Sequence, residues 1–139
     1  MSITFIVLLG YVGWTLLLLL IMELMRSWLV FSGRHSASGF SIDGSDVSPF
    51  AARLARAHAN CYESFPILGG LMLLALVSGQ ASLTDPLALW VLAARVGQSS
   101  IHLVSVSDRA VTLRFALFAV QLAIACWWTI GLAMVWLGA

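Results

Sequence analysis

Lysine is absent from this 139-residue chain, and charge of either sign is scarce: 9% of residues are charged against 61% hydrophobic. A soluble domain carries about 25% charged residues, so the composition excludes a soluble globular enzyme, a disordered chain and a nucleic-acid binder. The seven arginines face six acids, for a formal net charge of +1, and they form no polybasic patch. Only two cysteines occur, Cys61 and Cys126, each inside an apolar run. A disulfide framework and a four-ligand zinc site are therefore excluded, and both read as small buried hydrophobes. No His, Cys and carboxylate side chains share metal-ligand spacing, so no metal is expected.

What the chain has is long uncharged stretches. Met1 to Met22, Ser64 to Thr84 and Phe115 to Ala139 carry no charge, and Pro86 to Ser107 carries only Arg95. A spanning helix needs about 20 apolar residues, so the chain reads as an all-α integral membrane protein, a single four-helix domain over residues 1–139. The expected spans are about 3–31, 49–78, 85–106 and 110–137. The first lacks the basic flank and small-residue cleavage site of a signal peptide. Between spans one and two, Ser32 to Ser48 is rich in Ser, Gly and Asp and reads as a polar loop, with Asp46 or Ser48 capping the next helix ahead of Pro49. Gly79 to Asp85 is expected to form the second connection and Val104 to Asp108 the third. The Trp side chains divide between interfacial anchors and lipid-facing bulk.

Arg26, Arg34, Arg53, Arg56, Arg109 and Arg114 flank the first and third loops, and the second loop and both termini have none. The positive-inside rule puts those two loops in the cytoplasm and both termini outside. Polar residues within the spans gather toward the same side. Glu23 and Arg26 lie on span one and Arg53, Arg56, Asn60 and Glu63 on span two. Arg95, Gln98 and His102 lie on span three, and Arg114 and Gln121 on span four. At about 1.5 Å per residue they share a zone some 15–20 Å deep. Their spacings are helical: offsets of 0, 3, 7 and 10 on span two, 0, 3 and 7 on span three, and 0, 4 and 7 for Arg114, Phe118 and Gln121 on span four. A charge at the bilayer centre costs about 2.5–3.5 kcal/mol on insertion scales, so the stripes must face one another or a water-filled cavity.

Salt bridges gluing the bundle would use the same residue types, but glue has no reason to crowd into one leaflet. The stripes thus predict a binding site open to the cytoplasm. With arginines on its rim and one deep carboxylate, Glu63, it suits a small anion bearing carboxylates and an ammonium group. Apolar helices around it would admit a lipophilic second reactant from the bilayer.

The segment RAHANCYESFPIL, 56–68, resembles the second-helix signature of the MAPEG family, the membrane-associated proteins in eicosanoid and glutathione metabolism. That signature reads Arg, three residues, Asn, two residues, Glu, then Pro. AARVGQSSIHL, 93–103, and the Arg114 start of span four are similar in order and spacing. The resemblance implies a four-helix subunit assembled as a homotrimer, with glutathione as co-substrate bound between subunits near the cytoplasmic face. It implies a glutathione transferase that conjugates lipophilic electrophiles or reduces lipid hydroperoxides. By position, Arg26, Arg56, Asn60, Glu63, Arg95, His102 and Gln121 match glutathione-binding or site-supporting positions, and Arg53 is a weaker match. Arg114 is the expected catalytic group, since a guanidinium stabilises a thiolate whose free thiol has a pKa of about 8.5. Ala59, Gln98 and Phe118 depart from residues found in some members, Phe118 standing where some have a Tyr hydroxyl beside the sulfur. Two other classes compete: a proton-coupled exporter using Glu23 or Glu63, and a non-catalytic binding protein of the same fold.

Overall fold

The computed structural model describes residues 1–138, and Ala139 lies outside them. Four helices follow one another: α1 (Ile3–Phe31), α2 (Pro49–Val77), α3 (Ala81–Val104) and α4 (Asp108–Leu137). The shortest has 24 residues, about 36 Å of rise, against a hydrocarbon core of about 30 Å. All four are long and apolar enough to cross a membrane, and the chain is a multi-pass integral membrane protein.

The first two helices start where expected. Ser48, rather than Asp46, caps α2, its hydroxyl accepting from the amide of Ala51 at 3.0 Å, with Pro49 as the first helical residue. The third and fourth helices begin earlier than the sequence predicts. Helix α3 opens at Ala81 rather than 85, so Pro86 lies within it and Asp85 belongs to the helix rather than the connection. Helix α3 ends at Val104, short of 106, and α4 opens at Asp108 because the Ser107 hydroxyl accepts from the amide of Ala110 at 3.3 Å. At the start of α4 side-chain capping overrides the edge of the apolar run.

Helix α3 touches the other three helices, while α1 and α4 share no contact among the described residues. Of the helix pairs in contact, α2 and α4 touch least, which opens a cleft between them with α3 behind it. Apolar packing sits in two places. One cluster joins Val7, Tyr11, Leu68, Met72, Ala88, Val91, Ile124, Ala125 and Trp128 across all four helices. The other joins Leu18, Met22, Leu54, Ala57 and Cys61 between α1 and α2, toward the arginine-rich end. Large apolar side chains such as Leu9, Leu24, Trp90, Phe115 and Trp127 point outward, as a lipid-facing surface requires.

At the opposite end, Asp85 of α3 closes the start of α1. Its Oδ1 accepts from the Ser2 hydroxyl at 2.7 Å, the Thr4 amide at 2.7 Å and the Thr4 hydroxyl at 2.6 Å. Thr4 and Thr84 hydroxyls meet at 2.7 Å beside it. Ser2 makes no side-chain cap of its own, so a carboxylate from another helix satisfies the Thr4 amide that α1 leaves free.

The loop between α1 and α2 is held by its own side chains. Asp46 accepts from the Ser41 amide at 3.2 Å and from the Ser41 hydroxyl, and pairs with His35 at 3.0 Å. His35 stacks on Phe40 with centroids 4.2 Å apart, and the Arg26 guanidinium lies 5.6 Å from the same ring. Hydrogen bonds from the Ser45 hydroxyl and amide and from Ser41 hold the Asp43 carboxyl down at about 2. Those from Ser41 chiefly also lower that of Asp46. Gly44 adopts φ +68°, where a Cβ would stand 2.9 Å from the Ala51 carbonyl oxygen. Only glycine fits the turn there.

Candidate functional site

At about 100° per residue, the four polar residues of the α2 stripe spread over an arc of about 80°. Arg53 and Asn60 lie on the edge facing α3, while Arg56 and Glu63 are rotated outward and are exposed. Arg53 donates from Nε to the carbonyl of Leu103 at 2.8 Å and so caps the end of α3. Arg56 and Glu63 make no ion pair with another described residue.

Asn60 is the centre of a buried network. Arg95, with no exposed surface, donates from Nη1 to the Asn60 carbonyl at 3.0 Å and to its Oδ1 at 3.2 Å. Gln98 reaches the same Oδ1 from Nε2 at 3.5 Å, and Gln121 donates to Gln98 Oε1 at 3.0 Å. Two donors on Oδ1 set the orientation of the Asn60 amide, because a flip would put NH2 against them. On the remaining side the Asn60 Nδ2 stands 3.5 Å from His102 Nε2, and Arg114 Nη1 lies 2.6 Å from His102 Nδ1.

Helix α1 supports this layer from behind. The Arg95 guanidinium carbon lies 5.6 Å from the Tyr11 ring centroid, within cation–π range. The Tyr11 hydroxyl in turn contacts the Cys61 carbonyl at 3.1 Å and the Ser64 hydroxyl at 2.8 Å. Among the described residues, Arg95 Nε and Nη2 and Gln121 Oε1 are buried without a hydrogen-bond partner. A burial of that kind is unfavourable by about 1–3 kcal/mol per group unless another molecule supplies the partner.

A cavity of about 420 Å³ opens in front of the network, in the cleft between α2 and α4. That volume lies in the range of small-molecule sites, about 300–1,000 Å³. Asn60, Glu63, Gln98, His102, Arg114 and Gln121 form its polar wall, and Ile67, Leu68, Phe115, Phe118, Leu122 and Ala125 its apolar one. A second cavity of about 340 Å³ lies on the outer side of α2, lined by Ile42, Asp43, Arg56, Asn60 and Glu63 among others. Asn60 and Glu63 border both, so the two cavities share a partition. Such a pair of spaces can hold an anion with carboxylates at two ends and an ammonium at Glu63, with an apolar molecule against Phe118 and Leu122.

The residues expected from the sequence thus divide. Asn60, Glu63, His102, Arg114 and Gln121 line the first cavity, and Arg95 supports it from behind. Arg56 faces the second cavity. Arg26 reaches neither: it lies 3.3 Å from Glu23 and 3.5 Å from the carbonyl of Ser41, bracing the loop. Sequence reasoning missed Ser64 and Tyr11. Ser64 follows Asn60 by four residues and falls on the same edge of α2, a readable signal, whereas Tyr11 is a lone polar aromatic in an apolar run. No group of three His, Cys, Asp or Glu side chains among the described residues is placed to hold a metal ion.

The chain is thus a four-span membrane protein with a cavity, polar on one wall and apolar on the other, among its helices. The model of the MAPEG family matches residues 11–137, and the chain belongs to that family. The family includes glutathione transferases as well as non-catalytic members, and its members typically use glutathione. No curated protein and no solved structure matches the chain.

Proposed function

We propose that the protein binds glutathione across the two cavities that meet at Asn60 and Glu63 and conjugates it to lipophilic electrophiles entering from the bilayer. The observation that carries this reading is the first cavity itself, which Arg114, His102 and Glu63 line together with an apolar wall. Arg56 suits one carboxylate of the tripeptide and Glu63 its ammonium group, through charge-assisted hydrogen bonds. Arg95 orients Asn60, and Gln121 holds Gln98. Arg114 is the catalytic group: its permanent positive charge favours the thiolate over the thiol, and the sulfur pair then attacks the electrophilic carbon. With a second glutathione the same thiolate would reduce a lipid hydroperoxide to an alcohol, yielding water and glutathione disulfide.

The arginine-rich end faces the cytoplasm in this reading, and both termini lie outside. A homotrimer would enclose the outward-facing Arg56 and Glu63 and let Arg26 of one copy approach the site of the next. Cysteine introduced at Ser38 should then be labelled only from the cytoplasmic side, and cysteine at Ser82 only from the other. The opposite pattern would exclude cytosolic glutathione from the site.

Purified wild-type protein should bind glutathione in calorimetry and raise the thiolate absorbance of the bound ligand. Arg114→Ala should slow conjugation about tenfold or more at neutral pH and much less at high pH, since one pKa unit is about 1.36 kcal/mol. Binding without turnover in the wild type would place the chain among the non-catalytic members. An Arg114→Ala protein with normal affinity, thiolate absorbance and rate would remove Arg114 from the chemistry.

A further inference from the structure

We propose that His102 is a catalytic residue of this site, its Nε2–H donating a hydrogen bond to the thiolate sulfur while Arg114 holds and polarises the ring from the other side. The proposal rests on glutathione binding as argued above and names the donor within it.

The proton on the ring is located by its neighbours. Arg114 Nη1 lies 2.6 Å from His102 Nδ1, and a guanidinium has only donors, so Nδ1 must present its lone pair. A neutral imidazole has one N–H, which therefore sits on Nε2. Among the described residues, the polar atom within hydrogen-bond distance of Nε2 is Asn60 Nδ2 at 3.5 Å, and this too is a donor. The Asn60 oxygen cannot turn to meet it, because it already accepts from Arg95 at 3.2 Å and from Gln98 at 3.5 Å. His102 Nε2–H is thus left without an acceptor among the described residues, on a side chain that is 7% exposed and lines the first cavity. A buried donor in this state is unfavourable until an anion arrives to accept from it.

The surroundings favour that anion over a second ring proton. Arg114 from α4 faces Nδ1, Arg95 from α3 lies behind Asn60, and Arg56 and Glu63 stand on the exposed face of α2 beyond it. A proton added at Nδ1 would point at the Arg114 guanidinium and break their contact, so the working ring is neutral. Donation from Arg114 into Nδ1 draws charge from the ring and strengthens Nε2–H as a donor. Phe115 and Phe118, on the same cavity wall, have no hydroxyl to offer a sulfur. The thiol proton leaves to water at the cavity mouth. The sulfur keeps its electron pair, accepts from Nε2–H, and uses that pair to bond to the electrophilic carbon, whose bond to its leaving group, halide in an aromatic halide, breaks with the halide released to water.

Three variants test this with glutathione and an aromatic halide electrophile, each purified as the native oligomer. His102→Asn keeps a carbonyl oxygen near the Nδ1 position for Arg114 but has nothing at Nε2. It should bind glutathione within about twofold of wild type while raising the apparent pKa of the bound thiol by about one unit, a tenfold lower thiolate fraction at neutral pH. His102→Gln, whose amide NH2 reaches the Nε2 position, should retain most of the thiolate signal. Adding Phe118→Tyr to His102→Asn should restore part of it. Unchanged thiolate absorbance and pH profile in His102→Asn at normal affinity would overturn the assignment, as would equal loss of affinity in the Asn and Gln variants, the mark of a structural role. A wild-type protein that binds no glutathione at all would overturn both this assignment and the reading it rests on.

Discussion

The two ends of the bundle use the same kinds of side chain for opposite ends. At the Asp85 end one carboxylate oxygen takes donors from Ser2 and Thr4, including a free helix-end amide, and the neighbouring Thr84 completes a closed clasp. At the arginine-rich end, polar groups are left unpaired: Arg95 Nε and Nη2 and Gln121 Oε1 are buried without partners, and Arg56 and Glu63 face outward unpaired with any described residue. A satisfied polar cluster in a membrane joins helices, whereas polar groups left unpaired around a cavity leave room for a ligand. Interhelical glue and binding site are therefore told apart by which polar groups are left without a partner, not by residue type.

Substitutions should separate the ends cleanly. The largest effect is expected from Arg56→Ala, which removes an exposed guanidinium that no described residue pairs with: glutathione affinity should fall about tenfold to a hundredfold, the worth of one charge-assisted hydrogen bond of about 1.5–3 kcal/mol. Its melting temperature should stay near wild type, and a loss of stability with unchanged affinity would make Arg56 part of the glue. Asp85→Ala should do the reverse. Its three donors lose their acceptor, at about 1–3 kcal/mol of stability, while glutathione affinity in calorimetry stays the same. An Asp85→Ala protein that melts normally would show that water replaces the clasp.

The smallest effect concerns the loop that borders the second cavity. Asp43 and Asp46 are held below the usual carboxylate range by hydrogen bonds, chiefly from Ser45 and Ser41 respectively. Lowered carboxyl groups favour the folded loop fully above the ordinary value of about 3.9, and that contribution fades as pH falls toward the folded value. For Asp43 the window runs down to about 2. Amide exchange in residues 32–48 should therefore stay slow through neutral pH and speed up only in strong acid, after correction for intrinsic rates. Loosening already at mildly acidic pH would show that these two carboxylates do not control the loop.

Depth along the bundle was legible in the sequence, and so was the crowding of polar groups at one end. Helical spacing marked Asn60, Gln98, His102, Arg114 and Gln121 as candidates, and the structure brings these together. The same spacing could not divide the α2 stripe, because an arc of about 80° is wide enough for its two edges to face different cavities. Asp85 was read at the boundary between the second connection and span three, and its partners at the start of α1 lie more than 80 positions away in the chain.

The amino-acid sequence by itself determined four spans, a polar half and the family, since these depend on composition and on periodicity along single helices. Only the tertiary structure decided that Arg53 caps α3, that Arg26 braces a loop, that Asp85 closes α1, and that Arg114 meets Nδ1 of His102. Each of these depends on which donor meets which acceptor across a helix boundary. Such contacts form between residues distant in the chain, and no local pattern of apolar and polar positions encodes their pairing.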